Sequence, residues 1–475
     1  MCTSILAGRG ASADGQVSLA RNEDFTRNNW NKHLAYRRLP QYAVPASPSV
    51  EDGVWTLGNG LPVPVPARGY AYSAMPDAAG PSEASHAIGD DFFFEERGVN
   101  ERNVAVSATN SMTANERASA ADPFGSTGVA ESVIPTLLLP QAESARHGAQ
   151  LLGEYVTRFG ASEPNGVLIG DPDECWYTEI GSARHWVAVR VPDGAYLAVA
   201  NGMRVHDVDL DSDEVLHSPG LFEFAVRAGL PGRLDRRRFN FAEAFGVLGV
   251  PYNVDRIWLA QSILTPSLRQ QPRLRQYPMF LEPDCPIPVT EIMRVLRATY
   301  AGTVLEGKAD RPIGYEKTAE SHIITLDRAM PPELAGLIWQ AVSTPLDAPY
   351  MPLYSAMTDV PARYSRGGNE FTPGSAYWAF HGAHALRALA RPDARPWWQD
   401  FERDCVEQAA VMRTALAGVY RTDRQAAVGL ARRYSAGTAV EGVDGAARAT
   451  AGLLTDIAAG GGASHALALS AAETP

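Results

Sequence analysis

A cysteine stands at position 2, behind a single methionine. Its small side chain permits removal of Met1, which would leave a thiol and a free α-amine on the same residue. An α-amino group titrates at about 7.7–8.0, against about 10.4 for lysine, so it can accept the thiol proton near neutral pH and act as the nucleophile's own base. That chemistry needs no histidine. Downstream, the string Ala20-Arg21-Asn22-Glu23-Asp24-Phe25 closes the second strand of an expected hairpin. There a guanidinium could stabilise a thiolate at Cys2 and a carboxylate could hold the α-amine, with Arg21 and Asp24 in those roles. Each feature alone has a plainer reading: an ordinary buried or frayed cysteine, and a solvated charged turn.

The elements that must position these residues are legible in outline. Thr3 to Ala7 reads as a short apolar strand, Gly8 to Gly15 as its turn and Val17 to Arg21 as a second strand. From Trp30 to about Ala87 the Pro, Gly and aromatic content predicts long irregular loops and edge strands. Val104 to Thr109 alternates, and so do Gly166 to Gly170, Cys175 to Ile180, Trp186 to Val191 and Leu197 to Ala200, the last four expected as one antiparallel meander. Helical spacing marks Glu131 to Leu139, Ser144 to Phe159, Phe241 to Val247 and Val289 to Tyr300, with Thr290 as a candidate cap. Further helices are expected at Pro332 to Val342, Ser375 to Ala390, Trp397 to Val419 and Thr422 to Tyr434, before a frayed Gly/Ala-rich tail around Gly460 to Ala463. Strand blocks flanked by helix blocks imply sheets covered by helices, a layered α+β sandwich.

Composition narrows the function classes. The 475 residues are 45% hydrophobic and 20% charged, with no membrane-length apolar run, as expected for a soluble globular protein. A net charge of −12 argues against nucleic acid or anionic lipid as partner, since those require a basic patch. Cys2, Cys175, Cys285 and Cys405 lie far apart without metal-ligand spacing, which argues against a zinc site and a disulfide scaffold and fits a reducing compartment. The first twenty residues lack the features of a secretory signal, so a cytoplasmic location is expected.

The stretch MCTSILAGRGASADGQVSLARNEDF resembles the opening of the C69 dipeptidase family, relatives of the choloylglycine hydrolases, which include penicillin V acylases and bile salt hydrolases. The likeness continues in order through Gly98-Val99-Asn100-Glu101, VAVSATNS, Glu131 with LLLP, SARHG and DECWYTEIGSARHWVAVRVPDGAYLAVAN. It persists in DRIWLAQSILTPSL, LRATYAGT, MPLYSAM and AYWAF. The resemblance implies a four-layer αββα N-terminal-nucleophile sandwich with helical insertions and C-terminal helices: a single domain over residues 2–450, then a helical to flexible tail over 451–475. It further implies that Cys2 is the nucleophile, that Arg21 and Asp24 surround it, that Asn201 and Asn110 bind the oxyanion, and that Arg256 is a further active-site arginine. The dipeptidases of this pattern tend to carry an acidic residue where Asn110 stands, which brings that position closer to the acylase branch.

The implied activity is a cysteine-dependent dipeptidase acting through an acyl-enzyme, with no metal or cofactor required and a small peptide or acyl-amide as substrate. An acylase cleaving N-acyl amides by the same steps is the alternative within enzymes, and a non-catalytic secernin-like regulatory protein the alternative outside them. A homo-oligomer is left open. His147, His185, His206 and His381 are assigned no chemistry, because the α-amine makes them unnecessary. The acidic run from His206 lacks the Gly and Glu positions of a calcium loop and reads as a solvated loop. Cys175 and the aromatics of WYTEIG and AYWAF read as core.

Overall fold

The strand Thr3–Ala7 pairs antiparallel with Val17–Asp24, placing Ser4 opposite Arg21 and Leu6 opposite Leu19. This hairpin lies in the middle of a seven-stranded antiparallel sheet. Its order is Phe280–Leu281, Tyr196–Val199, Thr3–Ala7, Val17–Asp24, Thr318–Leu326, Gly336–Val342 and Met351–Tyr354. A second, eight-stranded antiparallel sheet runs Val215–His217, Trp186–Arg190, Cys175–Ile180, Asn165–Gly170, Ala105–Ser111, Glu95–Asn100, Tyr72–Pro76 and Ala35–Arg37. The computed structural model describes residues 2–25, 31–38, 50–51, 53–66, 69–78, 94–387, 389 and 396–459.

Strand alternation divides the side chains between layers. Leu6, Leu19, Val17, Ile324 and Ile338 of the first sheet meet Leu168, Tyr177, Val187 and Val189 of the second in the central core. The other face of the first sheet, with Ile5, Ala20, Ile323 and Trp339, is covered by the helices Pro251–Leu264, Val289–Leu296, Ala376–Arg387 and Arg424–Ala458. The outer face of the second sheet is covered by Ile134–Leu138 and Ala145–Phe159. The result is the expected four-layer αββα sandwich. Ser144 caps the second of those helices by accepting from the His147 amide. Its Gly153 lies so close to the Trp186 indole that a Cβ there would sit 2.0 Å from a ring carbon.

Several elements differ from expectation. The RNED string is not a turn: Arg21 to Asp24 lie inside a buried strand, since partners on both sides absorb their charges. The meander stops after three strands. Tyr196–Val199 crosses to the first sheet beside Thr3–Ala7, redirected by the turn at Pro192 to Gly194, whose Asp193 carbonyl accepts from Ala11. Pro332 to Val342 is not a helix but a short 3-10 turn, Pro332–Leu334, followed by the strand Gly336–Val342; its branched and aromatic residues fit a pleated buried surface. Val289–Leu296 ends earlier than expected and starts at Pro288, with no side-chain cap from Thr290. The helix Arg424–Ala458 is far longer than the expected one, and the expected tail around Gly460 lies outside the described residues. No helix among the described residues is long and apolar enough to cross a membrane.

Candidate active site

Cys2 sits at the head of the first strand with 1% of its surface exposed. Alternation along the hairpin directs Cys2, Ser4 and Arg21 into the space between the sheets, and Arg21 Nη2 lies 3.2 Å from the Cys2 Sγ. The same guanidinium meets Glu96 through Nη1 at 2.9 Å and Glu131 through Nη2 at 3.4 Å. Burial alone would push the Arg21 guanidinium down, but the Cys2 sulfur and the carboxylates of Glu96, Glu23 and Glu131 outweigh it and drive it above its ordinary range. Glu96 also faces Lys32 at 3.1 Å, and Lys32 in turn faces Glu23 at 2.6 Å and Asp77. Burial and the charge of Glu96 push Glu23 up, while Lys32 opposes them.

A second guanidinium reaches Cys2 from the helical layer. Arg256, on the helix Pro251–Leu264, donates through Nη1 to the Cys2 carbonyl at 2.8 Å and to Thr3 Oγ1 at 2.9 Å. Its Nη2 donates to Asn201 Oδ1 at 2.9 Å and to Asn253 Oδ1 at 3.2 Å, and its Nε to the Tyr252 carbonyl at 3.0 Å. Burial first, then the like charge of Arg311, lowers Arg256 to about 10. Asn201 follows the crossing strand Tyr196–Val199 and donates to the Ser111 carbonyl of the opposite sheet at 2.9 Å. Asn110 accepts from Ser4 Oγ at 2.7 Å and donates to the Ala200 carbonyl at 3.2 Å. One N–H of each carboxamide is therefore spent on backbone.

Asp24 lies on the helical side of its strand, opposite in face to Arg21. It pairs with Arg311 and accepts from Thr318 Oγ1. Arg311 donates to the Tyr252 hydroxyl at 2.8 Å and lies within electrostatic reach of Cys2. The arrangement thus offers a thiol, a guanidinium against it, a second guanidinium fixing its carbonyl, and two carboxamides at the seam between the sheets.

The model of Peptidase family C69 matches residues 1–402. The chain belongs to peptidase family C69. A probable dipeptidase of Latilactobacillus sakei is 32% identical over 398 residues, spanning 81% of this chain and 80% of that protein. A probable dipeptidase of Salmonella dublin is 33% identical over 374 residues, spanning 75% and 81%. Among solved structures, the C2A mutant of a conjugated bile acid hydrolase from Clostridium perfringens covers 72% of this chain and 89% of its own, at 11% identity and a TM-score of 0.34.

In this C69 peptidase Cys2, Arg21, Asn110, Asn201 and Arg256, singled out from sequence, meet at the open end of the first hairpin and the adjoining sheet seam, and Asp24 lies at the same end on the helical face. Sequence reasoning missed Glu96, Lys32, Arg311 and Asn253, and saw Glu131 only as part of a pattern. Charges inside an alternating strand, as in Glu95-Glu96-Arg97, were the available signal. Cys175 is buried, and burial pushes its thiol far up. His185 stacks on Phe224 at 4.0 Å, and Asp207 and Asp211 pair with the surface arginines Arg238 and Arg236.

Proposed function

We propose that this peptidase hydrolyses small peptides through an acyl-enzyme at Cys2, exposed as the N-terminal residue once Met1 is removed. The observation that carries the reading is the 3.2 Å approach of the Arg21 guanidinium to the Cys2 sulfur, both buried between the sheets. The α-amine takes the thiol proton, and sulfur attacks the amide carbonyl. The tetrahedral O⁻ is received by N–H donors of Asn201 and Asn110, and collapse expels the amine with the proton. Water then attacks the thioester along the reverse path. Arg256 acts as a positioning residue, holding the Cys2 carbonyl and the Asn201 carboxamide in one fork. Asp24, through Arg311, sets the field on the helical side of the nucleophile.

The test is intact mass of the purified enzyme, then mass and peptide mapping after a thiol-directed electrophile. Loss of Met1 and labelling at Cys2 with loss of dipeptide hydrolysis are expected. An active preparation that retains Met1, or one with an inert Cys2, refutes the mechanism. Preference for N-acyl amides over dipeptides in a substrate panel would overturn the substrate class and favour the acylase alternative.

A further inference from the structure

The polar groups behind the nucleophile form an alternating series of charges: Glu131, Arg21, Glu96, Lys32, Glu23. With Asp77, which also faces Lys32, the cluster holds four carboxyl groups against two cations. The inner members are enclosed, with side-chain exposures of 0% for Arg21, Glu96 and Lys32 and 1% for Glu23. Glu131 is the exception, with 23% of its side chain exposed. It starts the short 3-10 turn Glu131–Val133, where its backbone amide donates to Glu163 Oε1 at 2.7 Å. Its second carboxylate oxygen accepts from Ser111 Oγ at 3.3 Å. A carboxylate held by Arg21 and Ser111, with part of its side chain exposed, therefore stands beside Cys2.

We infer that Glu131 is the anchor for the free α-ammonium of the substrate, which makes a peptide with an unblocked N-terminus the preferred substrate class. The inference rests on Cys2 being the nucleophile. Arg21 Nη2 is 3.2 Å from the sulfur and 3.4 Å from Glu131 Oε1, so sulfur and carboxylate lie within 6.6 Å of each other. A carbonyl carbon poised for attack stands roughly 3–3.5 Å from the sulfur. Its own α-nitrogen lies about 2.5 Å from that carbon by standard backbone dimensions. An ammonium there needs a carboxylate at about 2.7–2.9 Å, and a carboxylate within 6.6 Å of the sulfur meets both distances. The incoming cation also corrects the excess of anion in the series, and by engaging Glu131 it leaves more of the Arg21 charge for the sulfur. Burial and the charge of Glu96 push Glu131 up to about 7, while Arg21 opposes them.

Paired affinity labels test this. Alanine chloromethyl ketone carries the free ammonium and its N-acetyl form does not; with either, the Cys2 sulfur displaces chloride and forms a thioether. The wild-type enzyme should be labelled at least tenfold faster by the free-amine reagent, and Glu131→Gln should cut that ratio about tenfold, with melting temperature recorded alongside. Equal labelling by both reagents in the wild type overturns the inference while leaving the nucleophile in place, and this arm requires no variant to fold. A preference that survives in Glu131→Gln also overturns it. Equal slowing of both reagents in the variant would assign Glu131 to Arg21 or to the Cys2 amine instead, and overturn it. If neither reagent modifies Cys2, the nucleophile assignment falls and the anchor falls with it.

Discussion

Arg256→Met tests the fork that joins Cys2 to the sheet seam. Methionine keeps much of the buried volume but removes every donor. The lost bonds are those to the Cys2 carbonyl, Thr3 Oγ1, the Asn201 and Asn253 carboxamides and the Tyr252 carbonyl. Two or three of these acceptors would be left unpaired in a buried setting, at about 1–3 kcal/mol each. Against that stands the cost of burying the charge. A guanidinium lowered from 12.5 to about 10 carries a penalty of about 3 kcal/mol at neutral pH, relieved only as pH rises past 10. The two effects partly offset, so the variant should lose between nothing and about 6 kcal/mol, which the melt measures. Catalysis has no such compensation. Asn201 would lose the partner that orients its carboxamide, and a misdirected oxyanion donor costs about 2.7–4 kcal/mol, a 10²- to 10³-fold fall in kcat. Arg256→Lys should recover little, since one ammonium cannot hold the Cys2 carbonyl and Asn201 together. Steady-state kinetics on a dipeptide beside a thermal melt decide the matter. A kcat/KM within about fivefold of wild type in a folded Arg256→Met enzyme would refute the positioning role.

Other outcomes follow from the same geometry. Cys2→Ala should abolish acyl-enzyme formation while the protein melts close to wild type; a covalent intermediate trapped in that variant would point to another nucleophile. Arg21→Lys should be damaging despite the conserved charge, because a point ammonium lacks the planar fork that sets Nη1 on Glu96 and Nη2 on Cys2 and Glu131; unchanged kcat/KM would remove geometry from the argument. Glu179, pushed up to about 7 by burial despite its bonds from the Arg204 and Val205 amides, binds its proton more tightly folded than unfolded. Its contribution to stability is thus full below about 4.5 and declines as pH rises to about 7, and Glu179→Gln should flatten the melting profile in that window. Gly153→Ala, with its Cβ driven into Trp186, should cost about 1–3 kcal/mol, and an unshifted melting temperature would contradict the packing described.

The hairpin, the helix Ala145–Phe159 and the strands from Asn165 to Arg190 were legible because local pattern and tertiary role agree there. The destination of Tyr196–Val199 was not, since a short apolar strand pairs as well with one sheet as with another and the turn before it selects the partner. Gly336–Val342 misled for a related reason: a short apolar run buried on both faces has no period of its own. At the site, Cys2 and Arg21 could be paired by hairpin logic. The carboxylates behind Arg21 come from Glu96 and Glu131, whose approach depends on how the sheets stack and leaves no mark in local spacing.

The first strand to be made is among the last to be enclosed. Thr3–Ala7 is flanked on one side by Val17–Asp24, but its other neighbour is Tyr196–Val199, and the hairpin's far edge waits for Thr318–Leu326. At a synthesis rate of about 5–20 residues per second, the strand that closes that edge emerges roughly 15–65 s after the nucleophile. Until then the sheet around Cys2 is incomplete. Any trimming ahead of Cys2 has that time in which to act, and afterwards the residue is almost wholly enclosed.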